Sequence, residues 1–233
     1  MPKQLLLSRL VYESVRDSIQ IPNGSFMYTD FINTIAGGTA PSAEWSFQTD
    51  AVWSALNLGL SRLYDNEKTP FFTQIVTVRD NEFDFGDGEI ANIVKLGPNH
   101  SYENLEWRSL GLNSSNGKER IEILNEEIEY WDVVVEYRKP FPHFDETDLS
   151  EISEDQETHE IIDENVDLAS EYGLTARAFD YLKEFIKGQV TEVMDASVAN
   201  LHNNRAEQYF NDLKTYNAAF NQMSVRDFTR RLK

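Results

Sequence analysis

Between residues 51 and 96 the hydrophobic period of the chain changes from 3.6 to 2, and this change constrains the fold more than any other feature. Val52, Leu56, Leu60 and Leu63 recur at the spacing of one helix face. A polar break follows at Asp65, Asn66, Glu67 and Lys68, and Thr69-Pro70 leads into residues 71–78, rich in strand formers. Proline suits the first residue of a strand, because it has no N–H to give the ladder. Phe85-Gly86-Asp87-Gly88 then sets an Asp-Gly pair between apolar runs, which predicts a β-hairpin with residues 90–96 as the partner strand.

Helical rhythm flanks this β material on both sides. Leu6, Leu10, Val11, Val15 and Ile19 predict a first helix over residues 3–19, stopped by Pro22, Asn23 and Gly24. A short helix is expected from Thr29 or Asp30, and the helix carrying Val52 is expected to begin at residues 42–44, with Trp45, Phe47 and Trp53 as packing aromatics. Beyond residue 96, residues 102–112, 120–124 and 128–137 read as strands, giving five or six strands between about 70 and 140. Ala178, Leu182, Phe185, Ile186, Val190 and Val193 share a face in residues 175–196. After a break at 200–204, Ala206, Tyr209, Phe210, Leu213, Asn217 and Phe220 do so in residues 205–220, which makes an αα-hairpin. The expected fold is α+β: a helical bundle from N- and C-terminal segments with an inserted, mainly antiparallel β domain. Its parts are residues 1–66 (helical), 67–142 (β), 143–172 (acidic connector), 173–222 (helical hairpin) and 223–233 (basic tail).

Forty acidic against 21 basic residues give a net charge of −19, which repels phosphates and argues against adhesive binding to nucleic acid or anionic membranes. With no cysteine there is no disulfide, thiolate metal site or cysteine nucleophile. The N-terminal apolar run is too short for a signal peptide and no span nears 20 apolar residues, so a soluble protein is expected. Between Lys139 and Arg177 there are 12 carboxylates and no Lys or Arg. With little beyond Leu149, Ile152, Ile161 and Ile162 to bury, residues 145–164 read as a solvated excursion outside either core, or as a deliberate acidic wall.

Catalytic patterns are missing from the sequence. His100, His143, His159 and His202 stand at no metal-ligand spacing and read as surface residues. Asp84-Phe85-Gly86 matches the kinase magnesium tripeptide without the rest of the kinase set, and residues 80–89 lack calcium-loop spacing. Glu126 and Glu127 are adjacent on a turn, so they diverge instead of flanking a substrate. The expectation is a non-enzyme with no cofactor and no metal. Trp107, Trp131 and Tyr137 lie on strands whose alternate positions cannot all face one small core, leaving some for a partner interface.

Taken in order, several segments resemble the head–tail connector (adaptor) proteins of short-tailed bacteriophages, the group of the T7-type tail tubular protein A. They are the helix segment Ala55-Leu56-Asn57-Leu58-Gly59-Leu60, the aromatic strand over 70–78, the Ile-Val-rich strand over 90–96, the strand closing in Tyr137-Arg138-Lys139-Pro140, and two helices with Tyr216-Asn217. The ending Asp227-Phe228-Thr229-Arg230-Arg231-Leu232 completes the set. The acidic stretch at 144–164 departs from that pattern, as in a distinct group such as the crAss-like phages. The resemblance implies a virion protein of the phage neck, present in host cytoplasm during assembly. It would form a ring, commonly of twelve copies, beneath the portal protein and above tail or nozzle proteins, its channel passing DNA without specific binding and without a membrane. The other reading is a non-enzymatic binding module of α+β fold. Within the connector reading, Arg226, Arg230, Arg231 and Lys233, with Phe228 and Leu232 four apart, are expected to dock on the portal or another virion protein.

Overall fold

The computed structural model describes residues 4–16, 28–37, 49–66, 69, 71–96, 102–124, 130–155, 160–192 and 195–231, with backbone alone at 96, 102, 103, 130 and 214–231. The chain is α+β. Its contacts separate two units, Met1–Thr69 with Phe141–Ala218, and Pro70–Pro140 with Ala219–Lys233.

In the first unit, α1 (Leu7–Val15), α2 (Tyr28–Ala36), α3 (Thr49–Asp65), α4 (Leu168–Tyr172), α5 (Ala176–Thr191) and the beginning of α6 (Ala196–Arg231) surround one core. Leu10 and Val15 of α1, Leu56, Leu60 and Leu63 of α3, Leu182 and Ile186 of α5, and Leu213 of α6 are all buried there. Amphipathic helices from both ends of the sequence thus bury their stripes in the same place. At Gly59 a Cβ would come 2.8 Å from Leu182 Cδ2 and 3.1 Å from Phe185 Cδ1, so the missing side chain is what lets α3 and α5 approach. Trp53 is buried as expected, while Trp45, Phe47 and the expected helix start at 42–44 lie outside the described residues.

The break expected at 200–204 is corrected: α6 runs through those positions. The two helices part just before it, where the Asp195 carboxylate accepts the N–H groups of Ser197 (2.9 Å) and Val198 (3.3 Å). Asparagine costs a helix interior only a few tenths of a kcal/mol, whereas an Asp cap satisfies orphan donors outright.

The second unit holds one antiparallel sheet of β1 (Phe72–Arg79), β2 (Glu82–Phe85), β3 (Glu89–Leu96), β4 (Tyr102–Asn104), β5 (Trp107–Leu112), β6 (Glu119–Ile123) and β7 (Tyr130–Arg138), in the order β4-β3-β7-β1-β2-β6-β5. Among the described residues that is seven strands, where five or six were expected. The centre is the β1–β7 ladder, in register from Phe72↔Tyr137 to Arg79↔Tyr130. Val78, Ile93, Val133, Val135, Ile121 and Ile123 line the buried face, with Trp107 and Tyr137 packed against it. Trp131 stays 41% exposed, with Lys95 Nζ 3.7 Å from its ring centroid.

The Asp-Gly hairpin is corrected too. β2 and β3 do not pair, because β1 and β7 stand between them: the chain reverses at residues 86–88 but passes both strands before β3 joins the sheet. A Cβ at Gly88 would collide with the Arg138 carbonyl oxygen, so this glycine serves a close backbone crossing. The tight turn is Asp80-Asn81, joining β1 to β2, with φ of 49° and 64°. Two positive φ values in sequence are what a type I′ turn needs, and Asp and Asn tolerate them.

Candidate functional site

Residues 141–155 and 160–167 are not a solvated connector. Phe144, Leu149 and Ile152 are buried in the helical core beside Leu168 and Leu174. Three asparagine amides fasten the backbone, each by two hydrogen bonds. Asn57 Nδ2 donates to the Phe144 carbonyl (2.8 Å) and Asn57 Oδ1 accepts its N–H (2.9 Å). Asn33 does the same for Ile152 (2.9 and 2.6 Å) and Asn165 for Ser150 (3.0 and 2.7 Å). A side-chain amide here supplies the donor and acceptor that a neighbouring strand would. The expectation that this stretch belongs to neither core is therefore corrected.

Several of its carboxylates serve the same attachment. Asp145 accepts from Thr147 N–H, and Asp148 accepts from Asp145 N–H, closing a capping box on a single 3-10 turn, Glu146–Asp148. The Thr147 hydrogen bonds hold the Asp145 carboxyl below the ordinary range. Asp167 caps α4 and accepts the Leu5 N–H (3.1 Å), beside a bridge between Leu6 and Asp167. Asp163 accepts hydroxyl hydrogen bonds from Tyr28 and from Ser8 (2.9 Å), and an amide bond from Asn165 (2.8 Å). Burial pushes the Asp163 carboxyl up, but the hydrogen bonds from Tyr28, Asn165 and Ser8 together outweigh it and leave it below the ordinary value. The Tyr28 hydroxyl is pushed up, first by burial and then by donating to Asp163.

Outward, the same stretch carries β8 (Ser153–Glu154) paired with β9 (Ile161–Ile162), a two-stranded ribbon. Ile161 and Ile162 are 53% and 42% exposed, and Glu151, Glu154, Glu160 and Glu164, on the strands or within two residues of them in sequence, are exposed. A second exposed apolar group, Leu110, Leu112 and Leu124, lies on and beside β5 and β6.

His202 is corrected from a lone surface histidine. Its Nδ1 lies 2.8 Å from Glu184 Oε2, joining α6 to α5, with Arg205 3.9 Å from the same oxygen. The separation of 18 residues between the partners hid this pair from any local spacing rule. His143 is exposed, and His100 and His159 lie outside the described residues. Asp84 accepts amide bonds from Asn113 (2.9 Å) and Asn116 (2.8 Å), beside an ion pair of Glu82 with Arg120. No group of three metal-ligating side chains converges among the described residues, and no described helix is long and apolar enough to cross a membrane.

Of the expected docking residues, Arg226, Phe228, Arg230 and Arg231 fall on the final turns of α6, where the backbone is helical to Arg231. Leu232 and Lys233 lie outside the described residues. Comparison with the patterns of known protein families gives no match, and the search of curated proteins gives no significant one.

Proposed function

We propose that this chain is a structural virion protein, a head-to-tail connector that assembles as a ring beneath a portal and passes DNA through its channel. The observation that carries this reading is the order of parts. A β module follows the helix containing Ala55–Leu60 and closes at Tyr137-Arg138-Lys139-Pro140. The chain then returns to the helical core and continues into a 36-residue helix that runs through Asp227-Phe228-Thr229-Arg230-Arg231. This order of segments is the one on which the resemblance to the connectors rests. The acidic surface suits a channel wall, since like charge keeps passing phosphates from adhering. Exposed apolar residues on both units supply surface for contacts between copies and with portal and tail proteins. In this role Arg226, Phe228, Arg230, Arg231, Leu232 and Lys233 form a docking element.

Negative-stain imaging of the purified chain mixed with portal protein tests the reading. Added ring density on one end of the portal is the expected result. Portal particles unchanged by a molar excess of the chain would overturn it.

A further inference from the structure

We infer that the β8–β9 ribbon is the receptor for the C-terminal end of α6 from a second copy of this chain, an inference that rests on the ring reading. The ribbon has two strands of two residues each, too little to be stable alone in water, and its two isoleucines are left largely uncovered. Exposed Glu154 pairs across the ribbon with Ile161, exposed Glu160 precedes it, and exposed Glu151 and Glu164 lie within two residues of the strands in sequence, in a span from Pro140 to Ala176 that holds no Lys or Arg. The partner that fits is cationic with apolar side chains at short spacing. The chain itself contains such a segment. Residues 224–233 hold Arg226, Arg230, Arg231 and Lys233 against Asp227 alone, and Phe228 and Leu232 are four apart, the spacing of one helix face.

Charge selects this segment over the rest of the surface. On a chain of net −19, two copies repel on average, so a contact pairing the acidic ribbon with the basic end turns that repulsion into attraction. Ribbon and helix end are different patches, so the contact is heterologous, the kind that generates a ring when the rotation closes.

The test uses a fluorescent peptide of residues 218–233 titrated with the full-length chain carrying Arg230→Glu and Arg231→Glu, whose own end no longer competes. Saturable binding is expected, weakening as salt is raised. Ile161→Ser with Ile162→Ser should lower affinity by about tenfold or more while leaving the circular dichroism spectrum unchanged. Made in the chain with its native Arg230 and Arg231, so that its own end again does not compete, Glu154→Lys with Glu160→Lys should leave the native peptide unbound and bind a peptide carrying Arg230→Glu and Arg231→Glu. No binding, or equal affinity for the ribbon variants, would overturn the inference whether or not rings form. Peptide binding without rings would instead count against the ring reading alone.

Discussion

The side-chain amide of Asn33 on α2 closes a two-bond ring with the backbone of Ile152, 119 residues further along the chain, at 2.9 and 2.6 Å. Asn57 repeats it with Phe144. Leucine at either position would leave a part-buried N–H and carbonyl unsatisfied, at a cost of about 1–3 kcal/mol for each substitution. Urea titration of Asn33→Leu and Asn57→Leu should show both losses. Unchanged midpoints would mean that the segment is held by apolar burial alone.

Removing residues 145–164 should be far worse than removing a surface loop. The deletion takes away Leu149 and Ile152 and the Asp163 bonds to Tyr28 and Ser8. A melting transition that loses cooperativity, with α1 and α2 unprotected in hydrogen exchange, is the expected outcome. Retention of the native melt would contradict it.

Acid should loosen the same attachment. The folded-state Asp163 carboxyl lies below its ordinary value, so its contribution is complete above the unfolded pKa of about 3.9 and is lost as pH falls through the lower folded value. Asp163→Asn should be less stable than the native chain at neutral pH, and its stability should fall less steeply between about pH 4 and 2. Parallel acid-denaturation curves for the two proteins would remove Asp163 from this role.

In the helical core, Phe185→Ala should cost about 3–5 kcal/mol, since the ring is buried against Tyr181, with ring centroids 5.6 Å apart. Tyr181 is different. Burial pushes its hydroxyl up to about 12, opposed by the charge of Arg62, whose fork is taken by Glu207 (2.6 and 3.0 Å). The buried hydroxyl meets no hydrogen-bond partner of good geometry. Tyr181→Phe should therefore leave the thermal midpoint unchanged or raise it, and a clear drop would show that the hydroxyl is satisfied.

The Asp80-Asn81 turn gives a fifth check. Asn81→Gly should be tolerated, whereas Asn81→Val, forced to a φ near 64°, should lose about 1–2 kcal/mol in a chemical denaturation series. Equal stability of the two variants would mean that the turn re-forms elsewhere.

Long periodic segments were legible in the sequence because their stripes repeat: Val52, Leu56, Leu60 and Leu63 predicted α3, and the valine run around Val134 predicted β7. What failed was non-local. Phe85-Gly86-Asp87-Gly88 has turn chemistry, but which strands flank it depends on β7 arriving fifty residues later between β3 and β1. The acidic stretch looked solvated because composition counts charges and cannot see that Phe144, Leu149 and Ile152 face one core while the backbone is held by distant asparagines. Of the candidate surfaces, the basic end was visible as a charge contrast. The ribbon that exposes Ile161 and Ile162 was not, since two residues per strand leave no period to read.

If copies of this chain close into a ring as proposed, particle mass reports it without any label or variant. Mass photometry of the chain, alone and with portal protein, should show a discrete species at a whole-number multiple of 26.9 kDa, near 320 kDa for about twelve copies, or a portal heavier by that amount. A single population at 26.9 kDa in both samples, with the portal mass unchanged, would contradict the account.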